Sequence, residues 1–134
     1  MLKLHKNMNI TRNIKPEFQD ERGGITRILD VDEPLHTILF ITSKAGSVRS
    51  NHYHKKDLHY CYLISGKAEW YERAVDGNGE LEKEILNAGD MVCTPANTVH
   101  AVRFLEDTVF LTFSTQPRNQ ADYEKDTVRM KLID

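Results

Sequence analysis

The sequence predicts a single all-β domain. Three observations carry this expectation. β-branched and aromatic residues gather in short runs. Glycine, proline and Asn/Asp turn signals separate those runs every eight to twelve residues or so, the spacing of a sandwich or barrel. No stretch keeps a clear amphipathic helical period. A chain of 134 residues suits one domain spanning residues 1–134, with no internal repeat.

Taken in order, residues 25–29 follow the Gly23-Gly24 break and residues 37–42 follow Pro34, and both read as strands. Residues 48–54 follow Gly46, residues 59–65 end at Gly66, and residues 67–73 begin after it. Asp76-Gly77-Asn78-Gly79 supplies the positive φ that hairpin tips need, so residues 68–73 should pair with residues 81–86. Residues 90–94 are closed by Pro95, and residues 100–104 and 109–114 complete the set before a tail starting at Pro117. Residues 120–131 read as irregular chain or an edge strand.

Lysine and arginine total 18 against 20 aspartate and glutamate, a net charge of −2, with no basic tract for a nucleic acid. Apolar runs such as residues 38–41 fall far short of the roughly 20 residues that span a bilayer. Lys3 and Lys6 interrupt the region where a signal peptide needs an apolar stretch, so a cytoplasmic location is expected. Cys61 and Cys93 are too few for a disulfide framework and are expected to be reduced and buried.

Three of the six histidines fall between positions 52 and 59, and His100 lies just past Pro95. Alternation along a strand puts His52 and His54 on one face and Tyr53 on the other. His59 shares parity with Cys61 and Leu63, and His100 with Val102 and Phe104, so both should face the interior. Four converging imidazoles suit a divalent transition metal such as zinc, iron, manganese, nickel or cobalt. Taken singly, each could instead be an ordinary hydrogen-bonded histidine.

The spacing resembles the two motifs of the cupin superfamily. Gly46, five residues, His52-Tyr53-His54, four residues, His59, six residues and Gly66 follow the first motif, with His59 in place of its usual glutamate. Gly89, Pro95 and His100 follow the second, with Asn97 in place of a glycine and Phe104 in place of an asparagine. The resemblance implies a jelly roll, or double-stranded β-helix, a homodimer with the N-terminal strand crossing between subunits, and His52, His54, His59 and His100 as metal positions. A site with His59 in place of a carboxylate would leave the metal its full 2+ charge.

One barrel hosts isomerases, oxygenases and binding proteins. The string Val48-Arg49-Ser50-Asn51-His52-Tyr53-His54 is similar to the Arg-Gly-x-His signature of cupins acting on nucleotide-linked keto sugars, with Ser50 at the glycine, and Asp20-Glu21-Arg22-Gly23 is similar to a second, shorter motif of the same enzymes. The resemblance therefore implies an isomerase or epimerase of a keto sugar. Arg49 and Arg22 would bind diphosphate, as planar guanidinium can, or else form surface salt bridges. Arg49 has the wrong parity for the histidine face unless a bulge intervenes. Trp70 could stack on the ligand or fill the core. In a metal-free site His52 or His54 would be the base, with Tyr60 or Tyr62 as proton donor. With all four histidines on a metal, none keeps a lone pair for that work. The alternatives are a metal-dependent dioxygenase acting on a small chelating substrate and a noncatalytic carbohydrate-binding or sensing protein.

Overall fold

The computed structural model describes residues 8–76 and 79–134. Alternating side chains along its strands build two antiparallel sheets packed face to face. The first has the order β1 (Asn9–Thr11), β9 (Met91–Thr94), β6 (His59–Ser65), β11 (Thr108–Ser114), β4 (Thr37–Ser43). The second has β12 (Thr127–Arg129), β5 (Val48–His54), β10 (Thr98–Phe104), β7 (Lys67–Ala74), β8 (Glu82–Asn87), and β2 (Phe18–Asp20) with β3 (Gly23–Ile25) forms a separate ribbon. This is the expected all-β jelly roll. Strands β5 and β6 have the bounds read from the sequence, because their flanking turns are marked by Gly46 and Gly66, which adopt φ of 88° and 98°.

Between the sheets, Leu63, Trp70, Leu86, Val92, Val102, Phe104 and Phe110 form the main core. A second apolar layer lies on the outer face of the first sheet, where Tyr60, Met91 and Phe113 are covered by Ile14, Ile28, Leu29 and Val31. This layer corrects one expectation. Residues 26–29 are irregular, and Ile28 and Leu29 are apolar because they cap the outer sheet face rather than because they belong to a strand.

The region 120–131 also divides differently. Residues 127–129 are the edge strand β12, but Gln120–Asp126 form helix α1. Asn119 caps it by accepting a hydrogen bond from the Asp122 amide, with Asp122 in the first turn and Lys125 in the last complementing the helix dipole. None of its residues is buried, so no apolar period existed to be read. Short strands β1 and β2 lack the apolar runs that signal a strand.

Strands β7 and β8 pair as expected, from Lys67 with Asn87 to Glu72 with Glu82. Gly77 and Asn78 of their turn, and the N-terminal residues 1–7 with Lys3 and Lys6, lie outside the described residues. Cys61 is buried, Cys93 is only half-buried on the outer sheet face, and both are free thiols. Among the described residues, no helix is long and apolar enough to cross a membrane.

Candidate functional site

A break in register decides which side chains share the interior of the barrel. Along β10 and β5, His100 faces His52, but the next residue, Ala101, faces Ser50. Asn51 is therefore an extra residue, a β-bulge, and both Ser50 and Asn51 sit in the left-handed region at φ of 74° and 57°. Beyond the bulge, Arg49 pairs with Val102, which points into the core. Arg49 thus joins the same face as His52, three residues away. Its Nε donates to Ser43 Oγ at 2.7 Å and its Nη2 to the Thr42 carbonyl at 3.1 Å, which ties it to β4 of the opposite sheet.

Arg49 and Ser50 line a cavity of about 160 Å³ together with His52, His54, His59, His100, Arg118 and Tyr123. A larger cleft of about 350 Å³ lies by Lys55, Lys56 and Lys125. The histidines are in the smaller one. Ring centroids are 4.7 Å apart for His52 and His54, 4.8 Å for His52 and His100, and 4.9 Å for His59 and His100. The four rings come together as two overlapping ligand groups, His52-His54-His100 and His54-Asp57-His59, each with its atoms within 4.8 Å of one another.

The protonation of the rings follows from their partners. Thr127 Oγ1 gives its own proton to the Tyr123 carbonyl at 2.5 Å, so it accepts from His54 Nδ1 at 3.2 Å, which leaves the His54 Nε2 lone pair open. His100 Nδ1 donates to the Thr98 carbonyl at 3.1 Å, and its ring stacks on Trp70. Burial, reinforced by the neighbouring His59, lowers His54 to about 4; burial with His54 and His59 lowers His52 to about 3, and His100 falls well below the ordinary value. These three are neutral imidazoles. His59 differs: burial opposes its charge, but Asp57 and Cys61 outweigh it and raise the group to about 9.

Asp57 is the hub behind His59. Its carboxylate accepts from Ser114 Oγ at 2.8 Å, the Thr115 amide at 3.0 Å and Arg118 Nη2 at 3.0 Å, and lies 3.6 Å from His59 Nδ1. That last distance is an ion pair rather than a hydrogen bond, and among the described residues His59 Nδ1 has no hydrogen-bond partner. The guanidinium of Arg118 lies 5.1 Å over the Tyr123 ring, which in turn stands 5.7 Å from His54 and 6.2 Å from His52.

A family model for the cupin domain matches residues 39–114. The chain is a cupin. Solved structures similar to this cupin include a 3,4-ketoisomerase from Helicobacter canadensis, at 20% identity and a TM-score of 0.74 over 93% of this chain and 92% of that one. The 3,4-ketoisomerase QdtA from Thermoanaerobacterium thermosaccharolyticum, a double mutant in complex with TDP, matches at 21% and 0.73 over 94% and 89%. A dTDP-4-dehydrorhamnose 3,5-epimerase from Sulfolobus tokodaii matches at 20% and 0.68 over 82% and 70%. At such identities the likeness is one of fold. No curated protein matches the sequence.

Two departures of this cupin from the family motifs have a backbone explanation. Ser50 and Asn97 stand where a glycine is usual, and both adopt positive φ, 74° and 61°. The predicted site residues are not all assembled. His52, His54, His59, His100 and Arg49 meet in the cavity, and the bulge removes the parity objection to Arg49. Tyr60 and Tyr62 do not: they belong to the outer apolar layer, and the Tyr60 hydroxyl donates to Glu33 at 2.5 Å. Since His59 faces inward on the same strand, residues one and three further along must face outward. Arg22, its side chain 80% exposed, pairs with Asp20 in the β2–β3 ribbon, away from this cavity. Trp70 lines the same cavity, but as a buried core residue whose indole donates to Glu72 at 3.0 Å and whose ring stacks on His100. Sequence reasoning missed Asp57, Arg118, Tyr123 and Thr127. A signal existed only for Asp57, an acid two residues before a ligand-type histidine.

Proposed function

We propose that this cupin is an isomerase or epimerase of a nucleotide-linked keto sugar. The observation that carries the reading is the union, in one cavity, of neutral buried imidazoles with an open lone pair and a guanidinium turned inward by a bulge. At about 160 Å³ the cavity is below the ~300–1,000 Å³ that encloses a drug-sized ligand. It suits a sugar ring whose nucleotide lies outside, with Arg49 at the mouth to meet diphosphate oxygens. The similar folds include 3,4-ketoisomerases, one of them holding TDP, which supports the substrate class.

Isomerisation requires removal of a proton beside a keto group. His54, with Nδ1 held by Thr127 and Nε2 free, is the base, and burial keeps it unprotonated at neutral pH. Tyr123, not Tyr60 or Tyr62, is the proton donor to the substrate oxygen, positioned by Arg118. The charge on His59, held by Asp57, stabilises the developing enolate. Donor type and spacing also fit His52, His54 and His100 to a divalent transition metal, which when bound would polarise a keto oxygen. The positive charge of His59 opposes such an ion, and histidines committed to it have no lone pair for base work. Added zinc should therefore inhibit. A homodimer is part of this reading, supported by Ile38 and Phe40 of the edge strand β4, which are 61% and 67% exposed.

The test is incubation with a panel of TDP-4-keto-6-deoxy sugars in deuterated water, followed by NMR. Deuterium should enter the carbon next to the keto group. Absence of exchange in every sugar overturns the reading, and retained TDP affinity without exchange leaves a binding protein.

A further inference from the structure

We infer that Asn51, clamped by residues 130–133, is a positioning residue that holds Arg49 in the cavity. The assignment of a diphosphate to Arg49 rests on the function proposed above; the clamp itself is geometric. An unbulged β5 would turn Arg49 to the face opposite His52. The bulge that prevents this needs two consecutive left-handed residues, Ser50 and Asn51, neither of them glycine. Such a pair persists only where the surroundings over-determine it.

Those surroundings are one segment. Asn51 Oδ1 accepts from the Leu132 amide at 2.8 Å and the Ile133 amide at 3.1 Å, and its Nδ2 donates to the Ile133 carbonyl at 3.0 Å. The Asn51 carbonyl accepts from the Met130 amide at 3.0 Å. Strand β12 delivers the segment to this place, since its pairing with β5 runs from Thr127 opposite His54 to Arg129 opposite His52, where the bulge begins. The chain beyond β12 thus replaces ladder hydrogen bonds that the bulge interrupts. Asparagine suits the position twice, by tolerating positive φ and by offering an acceptor and a donor to a passing backbone. With the backbone turned, Ser43 and Thr42 fix the guanidinium from the opposite sheet.

The experiment is calorimetric titration of TDP into the wild-type chain, Asn51→Gly, Asn51→Asp, Arg49→Ala and the double variant Arg49→Ala with Asn51→Gly. Glycine keeps the left-handed backbone accessible and removes the three side-chain hydrogen bonds. It should weaken TDP about 5- to 10-fold, the size expected for letting one charged contact wander. Asn51→Asp keeps the acceptor for both amides but turns its other carboxylate oxygen toward the Ile133 carbonyl, so its loss should be real but smaller than that of Asn51→Gly. Arg49→Ala should lose more, and adding Asn51→Gly to it should change nothing further, because a positioning residue has no effect once its client is gone. Losses that add in full, or an unaltered affinity in Asn51→Gly, overturn the positioning role. An aspartate variant as weak as the glycine variant overturns the part given to the amide contacts. A wild-type chain that does not bind TDP overturns the nucleotide-sugar reading and, with it, this one.

Discussion

Replacing Asp57 with asparagine removes one charge from the most connected polar group of the site. The carboxylate is 1% exposed and accepts through Oδ1 from Ser114 and Thr115, while Oδ2 faces Arg118 Nη2 at 3.0 Å and His59 Nδ1 at 3.6 Å. Asparagine keeps the shape and one oxygen, so the Ser114 and Thr115 contacts survive, but its amide nitrogen meets two donors. Breaking a buried ion pair costs about 3–5 kcal/mol. The Arg118 side chain is 14% exposed and can recover some hydration, which favours the lower end, about 3 kcal/mol. With an unfolding entropy near 2.1 cal/mol/K per residue, a chain of 134 residues has about 0.28 kcal/mol/K, so the melting temperature should fall by about 11 °C.

The pH dependence tests the same pair independently. In folded protein His59 is raised, despite burial, to about 9, so its contribution is complete below the ordinary value of 6.5 and is lost as pH rises through about 9. Burial pushes Asp57 up, but His59, Ser114 and Arg118 together bring it below the ordinary carboxylate range. Its contribution is present above the unfolded value of about 4 and fades as pH falls further. The groups that raise His59 are the Asp57 carboxylate and the neighbouring Cys61 side chain, with His54, His100, Glu72 and Arg118 around it. Thermal melts of metal-free protein from pH 3 to pH 10 should show the alkaline limb in the wild type and not in Asp57→Asn. An acid limb persists in both, because His52, His54 and His100, held neutral by burial, must take up protons as pH falls. A drop under about 3 °C, or a variant that keeps the alkaline limb, would refute the assignment of Asp57 as the counter-ion of His59.

Other substitutions probe the scaffold and the site. Gly66→Ala should destabilise by at least about 2 kcal/mol in urea titration, since its Cβ would meet Thr108 Oγ1, lie 2.6 Å from the Asp107 carbonyl oxygen and require φ of 98°. Gly46→Ala has open space around the new methyl and φ of 88°, so only the left-handed penalty of about 1 kcal/mol should appear. Leu63→Ala, at a side chain buried in the main core, should cost about 3 kcal/mol by the same measurement. Tyr123→Phe should lower isomerisation about 100-fold in a TDP-sugar NMR assay with TDP affinity unchanged, whereas Tyr60→Phe should leave turnover near wild type. His54→Ala should abolish zinc uptake measured by elemental analysis after loading, because it belongs to both ligand groups.

What could be read in the sequence was local. Strand parity paired His52 with His54 and sent His59 inward with Cys61 and Leu63, because side chains alternate at every residue of an extended chain. Parity also contained the outward placement of Tyr60 and Tyr62, which rules both out as proton donors in the cavity. Glycines at strand ends, Gly46 before β5 and Gly66 after β6, marked these strands because turn backbones restrict residue type locally. The tertiary structure decided the rest. No local rule predicts that Asn51 bulges, since the hydrogen bonds that hold it come from residues 130–133, about 80 positions away by the separations of its contacts. Helix α1 buries nothing and so left no period, yet it brings Tyr123 to His54, while Arg118 just before it reaches Asp57. Ile28 and Leu29 look like strand residues until the outer face of the first sheet is there to be covered. In each case the residue's role depends on a surface formed by distant segments, and only folding brings that surface into existence.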